Sequence, residues 1–199
     1  MTVNKLEKCI SENCRAVIFD FDGVLCHDHF YEATLADEYP DVCIWIEKNI
    51  FTDRELLGKW MRGKLSSHDI NVRIAAATNL DVAYLDRKLD ESAGEMRFNK
   101  KMFLIAQKIK ANGAKIGIVS DNMDVFSRVI APRNDMAGLF DIIVNSADYG
   151  LLKQDFDGAL FDIAADKIGV PIAKTIFIDD SKGNTDLFAR KGGESVLYA

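Results

Sequence analysis

The stretch Arg15–Leu25, RAVIFDFDGVL, decides how the rest of the chain is read. Its first half is an unbroken apolar run rich in β-branched and aromatic residues, the pattern of a strand buried on both faces. The run ends in Asp20 and Asp22, and Gly23 follows. Two residues apart on an extended strand end, the two carboxylates project to the same side. Gly23 permits the turn that lets the backbone approach whatever they hold.

Working outward, Arg15–Phe21 is the first of five predicted strands. The others are Lys115–Ser120 (KIGIVS), Asp141–Asn145 (DIIVN), Lys174–Asp179 (KTIFID) and Ser195–Tyr198 (SVLY). Helical periodicity lies between them. Phe98–Asn112 places Met102, Ile105, Ala106 and Ile109 on one face, with Gly113 as a C-cap. Asp157–Ile168 does the same with Leu160, Phe161, Ala164 and Ile168, and ends at Gly169 and Pro171. This alternation predicts an α/β protein with a doubly wound parallel sheet. From Cys26 to about Glu95 there is no strand pattern. Asp53 is a candidate N-cap there, and Ser66 with Asp69 forms a capping box. The expected organisation is a catalytic core, residues 1–25 and 96–199, with a helical cap, residues 26–95, inserted after the first strand.

Composition narrows the function classes. A chain of 199 residues holds one core and an insert, and its 48% hydrophobic share can fill that core. The net charge of −6 argues against a nucleic-acid partner. No run approaches the ~20 apolar residues of a membrane helix. The opening MTVNKLEKCISEN lacks the apolar stretch of a secretory leader. Cys9, Cys14, Cys26 and Cys43 form no CxxC pair, so reduced thiols are expected. Together these predict a cytoplasmic protein without membrane or nucleic-acid partners. Oligomeric state stays open, because apolar positions on the insert serve a core or a partner equally well.

Three apolar strands end alike: AVIF in Asp20 and Asp22, IGIV in Ser120, TIFI in Asp179 and Asp180. Ligands of open parallel sheets sit outside the carboxyl ends of the strands, so these groups should converge. One strand ending in Asp is commonplace, since turns favour it. Three such endings, two of them with doubled carboxylates, form a constellation. That many like charges in one pocket repel strongly, which implies a cation. Oxygen ligands without histidine suit Mg2+ better than zinc or copper.

FDFDGVL at Phe19–Leu25 resembles the first motif of the haloacid dehalogenase superfamily, an Asp-x-Asp-Gly signature. IVSDN at Ile118–Asn122 resembles the second motif, a strand ending in Ser or Thr. Lys153 stands where the lysine of the third would be, and FIDD at Phe177–Asp180 resembles the acidic fourth. The order matches, and the resemblance covers the core from Arg15 onward. It implies a Rossmann-like core with a cap that selects substrate, and a role for each matched residue. Asp20 would be the nucleophile that forms an aspartyl-phosphate. Asp22 would be the general acid for the leaving oxygen and then the base for water. Ser120 would hydrogen-bond a phosphoryl oxygen, and Lys153 would balance charge. Asp180 would bind Mg2+ directly and Asp179 directly or through water. The Asp20 carboxylate and the Asp22 backbone carbonyl would complete the protein ligands.

Asp22 also separates chemistries. Members of this superfamily that cleave carbon–halogen bonds typically lack an acid at its position, because halide needs no proton to leave. The resemblance therefore implies a Mg2+-dependent phosphatase acting on a small phosphorylated metabolite such as a sugar phosphate. A phosphomutase or phosphotransferase would differ only in the acceptor, and a non-catalytic binding protein on this fold is the further alternative. A phosphorelay receiver domain uses similar groups, but its acidic pair comes early in the chain and its phosphorylated Asp follows the third strand.

Some positions read two ways. Gln154 follows Lys153 where similar sequences often carry proline, which leaves Lys167 and Lys174 as alternatives. Asp121 either adds charge to the site or caps a helix beginning near Asp124. GKWMRGKLSSHD, Gly58–Asp69, resembles the helix–turn–helix of small caps. In it Arg62, Lys64 and His68 either touch substrate or are solvated, and Trp60, like Trp45, reads as core. His27, Asp28 and His29 follow Cys26 without a complementary Cys/His cluster, so they read as hinge residues rather than a zinc site, with His27 or His29 able to approach a leaving group.

Overall fold

The apolar runs become five parallel strands: β1 (Ala16–Phe19), β2 (Lys115–Ser120), β3 (Ile142–Asn145), β4 (Thr175–Asp179) and β5 (Glu194–Leu197), in the order β3-β2-β1-β4-β5. This is a computed structural model, and it describes residues 14–198; the stretch containing Cys9 lies outside the described residues. Successive side chains of a strand take opposite faces, and here both faces are dry. Val17 and Phe19 join Ile116, Ile118, Ile176 and Ile178 on one side. Ile18 joins Val119, Val144 and Phe177 on the other.

Ten α-helices surround the sheet among the described residues. Five lie in the insert: α1 (Glu32–Leu35), α2 (Pro40–Ile46), α3 (Arg54–Trp60), α4 (Ser67–Thr78) and α5 (Val82–Glu95). A π-helical turn, Glu47–Phe51, continues α2. The other five are α6 (Lys100–Ala111), α7 (Asn134–Ala137), α8 (Ser146–Tyr149), α9 (Ala159–Ile168) and α10 (Lys182–Arg190). Met102, Ile105, Ala106 and Ile109 of α6 bury against the first face. Leu160, Phe161 and Ala164 of α9 cover the second, beside Leu187 and Phe188 of α10. Local chemistry sets the helix starts. Asp53 accepts from Glu55 N and Leu56 N, and Ser66 and Asp69 form the reciprocal capping box.

Most boundaries differ from the sequence reading by one or two residues, and two of the shifts have a local cause. β1 ends at Phe19 because the backbone leaves the ladder there. Asp20 N still donates to Ile178 O at 2.8 Å, but Phe21 N turns to the Asp20 carboxylate. The helix predicted from Asp157 starts at Ala159, since Phe156, Asp157 and Gly158 have φ of 48°, 53° and 82°. Three left-handed residues in a row cannot be helical.

The insert is not a free appendage. Leu35, Ile46, Trp60, Ile74 and Leu89 belong to the same apolar cluster as Val17 and Phe19. Trp60 is fully buried and Trp45 half-buried against that cluster. Cys26 and Cys43 are free thiols. No helix among the described residues is long and apolar enough to cross a membrane.

The topology places the site. The chain fills one side of β1 with β2 and β3, then crosses to the other side for β4 and β5. Phe19 sits opposite Ile118 of β2 and Ile178 of β4. Asp20, one residue further on, therefore falls between the ends of those strands, at the kind of reversal where such sheets bind ligands.

Candidate active site

Asp20 is 6% exposed, and both its oxygens are engaged. Oδ1 accepts from Phe21 N at 2.7 Å, and Oδ2 lies 2.7 Å from Lys153 Nζ. Lys153 is itself buried and reaches Asp179 Oδ2 at 2.8 Å. One ammonium thus bridges two buried carboxylates. Asp179 is held from its other sides as well: Ser181 N donates to Oδ1 at 2.6 Å and Asn184 Nδ2 to Oδ2 at 3.1 Å. Gln154 Nε2 donates to Asn184 Oδ1 at 3.0 Å. The residue that departs from the usual proline thus orients the asparagine that steadies Asp179.

Lys153 is also fixed through its backbone. Its N–H donates to Asp121 Oδ1 at 2.8 Å. Asp121 is therefore not the cap of the following helix; it anchors the lysine loop and brings a further carboxylate to the site. The alternatives to Lys153 lie away from the strand ends. Lys167 and Lys174 are exposed, and Lys167 rests over the Tyr149 ring.

Asp22 opens to the cleft on one side and is crowded by protein on the other. Its Oδ2 accepts from Asn122 Nδ2 at 2.9 Å. Burial pushes its pKa up to about 6; Lys153 opposes the rise, and Asp180 adds to it. Burial raises the pKa of Asp20 as well, and Lys153, 2.7 Å away, opposes that rise in favour of the carboxylate. Ser120 Oγ is fully buried and has no hydrogen-bond partner among the described residues. A donor left unmatched in the interior is costly, which fits a hydroxyl that awaits a ligand oxygen.

Asp180 lies against Gly23. Gly23 has φ +72°, and a Cβ there would stand 2.6 Å from Asp180 Cγ. Only glycine permits both that conformation and that approach. Carboxylate oxygens of Asp20, Asp179 and Asp180 all lie within 4.8 Å of one another. Lys153 is the cation that faces this group together with Asp22 and Asp121. Three hard oxygen donors around an excess of negative charge fit a divalent cation of the magnesium type. The Asp22 carboxylate is not in this group, so of Asp22 only the backbone carbonyl is left as a candidate ligand.

Three polar residues of the insert, Arg62, His68 and Asp28, are engaged with protein partners. Arg62 forms a bidentate pair with Asp155, Nε–Oδ2 2.7 Å and Nη2–Oδ1 2.8 Å, which ties the insert to the lysine loop. His68 pairs with Asp86 on the surface at 2.8 Å. Asp28 is bound by Arg97 through Nε and Nη2, both at 3.0 Å, so the Cys26–His29 segment carries an ion pair rather than a metal site. Trp60 Nε1, Ser67 N and Ser67 Oγ all donate to Asp124 Oδ1, and Ser146 Oγ donates to Met61 O at 2.6 Å.

Sequence reasoning missed Asn122, Asn184 and Asp155. Asn122 stood inside a quoted motif, and Asn184 lies five residues beyond Asp179. The signal for both was an amide close to a strand end that has carboxylates to satisfy.

The family profile described as haloacid dehalogenase-like hydrolase matches residues 14–189. An (S)-2-haloacid dehalogenase of Pseudomonas putida is 19% identical over 180 residues, covering 85% of this chain and 78% of that protein. A haloacid dehalogenase family enzyme of Bacteroides thetaiotaomicron, solved with magnesium and inorganic phosphate, superimposes with a TM-score of 0.70 at 15% identity, over 92% of this chain and 93% of that one. The L-2-haloacid dehalogenase of Xanthobacter autotrophicus gives 0.67 at 14% identity, over 92% and 76%. At these identities the structural likeness speaks for the fold.

Proposed function

The chain belongs to the haloacid dehalogenase-like hydrolases, and we propose that it is a magnesium-dependent phosphatase of small phosphomonoesters rather than a dehalogenase. The observation that carries this reading is Asp22. It stands two residues beyond Asp20, opens to the cleft, and has a proton affinity raised towards neutrality. A dehalogenase has no use for an acid there, because halide leaves unprotonated. An alkoxide needs the proton. The cleft beside Asp22 supports the same reading. Among the described residues lining it there is no Lys or Arg to receive the carboxylate of a haloacid.

In this reading Asp20 attacks phosphorus, the bond from phosphorus to the ester oxygen breaks, and Asp22 gives its proton to the departing alcohol. Asp22 then takes a proton from water as that water attacks the acyl-phosphate. The bond from phosphorus to Asp20 breaks, and inorganic phosphate leaves with the carboxylate restored. Lys153 keeps Asp20 oriented and stabilises charge on the phosphoryl oxygens, while Ser120 Oγ donates to one of them. Magnesium, when bound, would offset the charge between carboxylates and phosphoryl group. Asp20, Asp180 and the Asp22 carbonyl would hold it; Asp179, whose oxygens serve Ser181, Lys153 and Asn184, would act through water.

Release of inorganic phosphate from a panel of phosphomonoesters tests this, with magnesium or chelator, for wild type and Asp20→Asn. Magnesium-dependent release that falls on the order of 10⁵-fold in the variant is expected. Halide release from 2-haloacids without phosphate release would overturn the proposal.

A further inference from the structure

The cleft beside Asp22 is about 290 Å³ in volume. Asp22, Asp121 and Met123 line its core side, and Glu47, Phe51 and Leu57 its insert side. A second volume of about 250 Å³ adjoins it, sharing His29, Phe30, Glu47 and Phe51. Each is at or below the small end of ordinary ligand sites, so the leaving group it admits is small. Neither volume has a lysine or arginine among its described lining residues. The catalytic cation and the unpartnered Ser120 hydroxyl stand at the strand ends, so the phosphate end is provided for. The leaving-group end is not neutral.

Its acids are not equivalent. Asp28 is neutralised by Arg97, Asp121 is held by the Lys153 backbone, and Asp22 is bound by Asn122. Glu32 and Glu47 make no ion pair and no side-chain hydrogen bond among the described residues; Glu32 borders only the second volume, and Glu47 borders both. Glu47 sits one helical turn from Phe51, and Phe30 completes an aromatic lining around it. A second phosphate or a carboxylate on the substrate would meet Glu47 with no lysine or arginine to offset the repulsion, His29 being the one imidazole in the described lining. An ammonium group would meet an available carboxylate and aromatic rings, the combination that favours alkylammonium ligands.

We propose that the leaving group is a small amino alcohol, its ammonium seated against Glu47 and its carbon chain against Phe30, Phe51 and Leu57. This rests on the phosphatase reading. The products are then the amino alcohol, protonated by Asp22, and inorganic phosphate carrying the oxygen of water.

Three esters of matched size test it: ethanolamine phosphate, ethyl phosphate and phosphoglycolate, with the full chain and magnesium. The expected order of kcat/KM is amine, then neutral, then carboxylate, with the amine about tenfold above the neutral ester, as for one charge-assisted hydrogen bond. Glu47→Gln should bring the amine-to-neutral ratio close to one. Glu47→Lys should let the carboxylate ester overtake the amine. Glu47 is exposed, so both variants should keep the wild-type Tm, and that is checked alongside. Hydrolysis of ethyl phosphate with no preference for the amine, or a ratio unmoved by Glu47→Gln, overturns this assignment and leaves the phosphatase reading standing. If none of the three esters nor p-nitrophenyl phosphate releases phosphate, the phosphatase reading falls and takes this one with it.

Discussion

The strand ends and the helical insert solve the problem of placing charge in opposite ways. At the strand ends, charge is buried. Lys153, Asp20 and Asp179 are almost fully out of water, and the ammonium lies 2.7 and 2.8 Å from the two carboxylates. In the insert, charge stays at the surface or at the seam with the core, as in Lys59–Glu55 and Arg62–Asp155. The backbone accounts for the difference. Parallel strands in register fix where each terminal residue lies, so a buried ion can be matched to its partner by geometry alone. Helices packed through apolar stripes fix their own faces less tightly. What the contrast teaches is that ions are buried where register is rigid and left solvated where packing can vary.

The largest expected effect lies at the buried cation. Lys153→Met removes the partner of two enclosed carboxylates. Leaving a buried charge without its counter-ion costs about 3–5 kcal/mol, and losing one electrostatic stabiliser slows chemistry roughly 10²–10³-fold. Thermal unfolding of the variant with and without magnesium reads the first quantity, and phosphate release the second. Magnesium should recover more stability in the variant than in wild type, because it supplies the missing positive charge. A loss below about 1 kcal/mol, within the range of surface pairs, would erase the contrast between the two regions.

That contrast also explains what could be read from the sequence. Asp20, Ser120 and Asp179 were legible because an apolar run followed by a polar residue marks a strand end, and strand ends of one parallel sheet must meet. Met102, Ile105, Ala106 and Ile109 were legible through helical period. The partners were not. Nothing in the spacing of Gln154 and Asn184 says that one amide hands on to the other across 30 residues. Arg62 and Asp155, 93 residues apart, meet only because the insert docks on the lysine loop. Glu47 carries no sequence signal at all, and its place beside the cavity is set by the fold.

The smaller effects lie at the seam. Arg62→Ala breaks the bidentate pair with Asp155, both side chains about a quarter exposed. Charge-assisted geometry and partial solvation together put the cost near 1 kcal/mol, with turnover changed by less than about threefold. Denaturant unfolding and steady-state kinetics separate the two. A slowing of turnover by about two orders of magnitude, the size expected for a lost catalytic group, would make Arg62 part of the reaction and the insert part of the catalytic apparatus.

The pH dependence of that same pair is the finest test. Hydrogen bonds from Arg62 hold Asp155 below the usual carboxylate range, burial opposing them and Leu152 N and the charge of Lys64 assisting. A carboxylate whose pKa is lowered by folding stabilises the fold fully above its unfolded value, about 3.9, and loses that contribution as pH falls through the folded value. Wild type should therefore unfold at higher temperature than Arg62→Ala at pH 7, and the gap should narrow below about pH 4. Asp28, lowered in the same direction by Arg97, is present in both proteins and cancels from the difference. A gap that stays constant down to about pH 3 would mean that Arg62 stabilises the seam through its packed stem and not its charge.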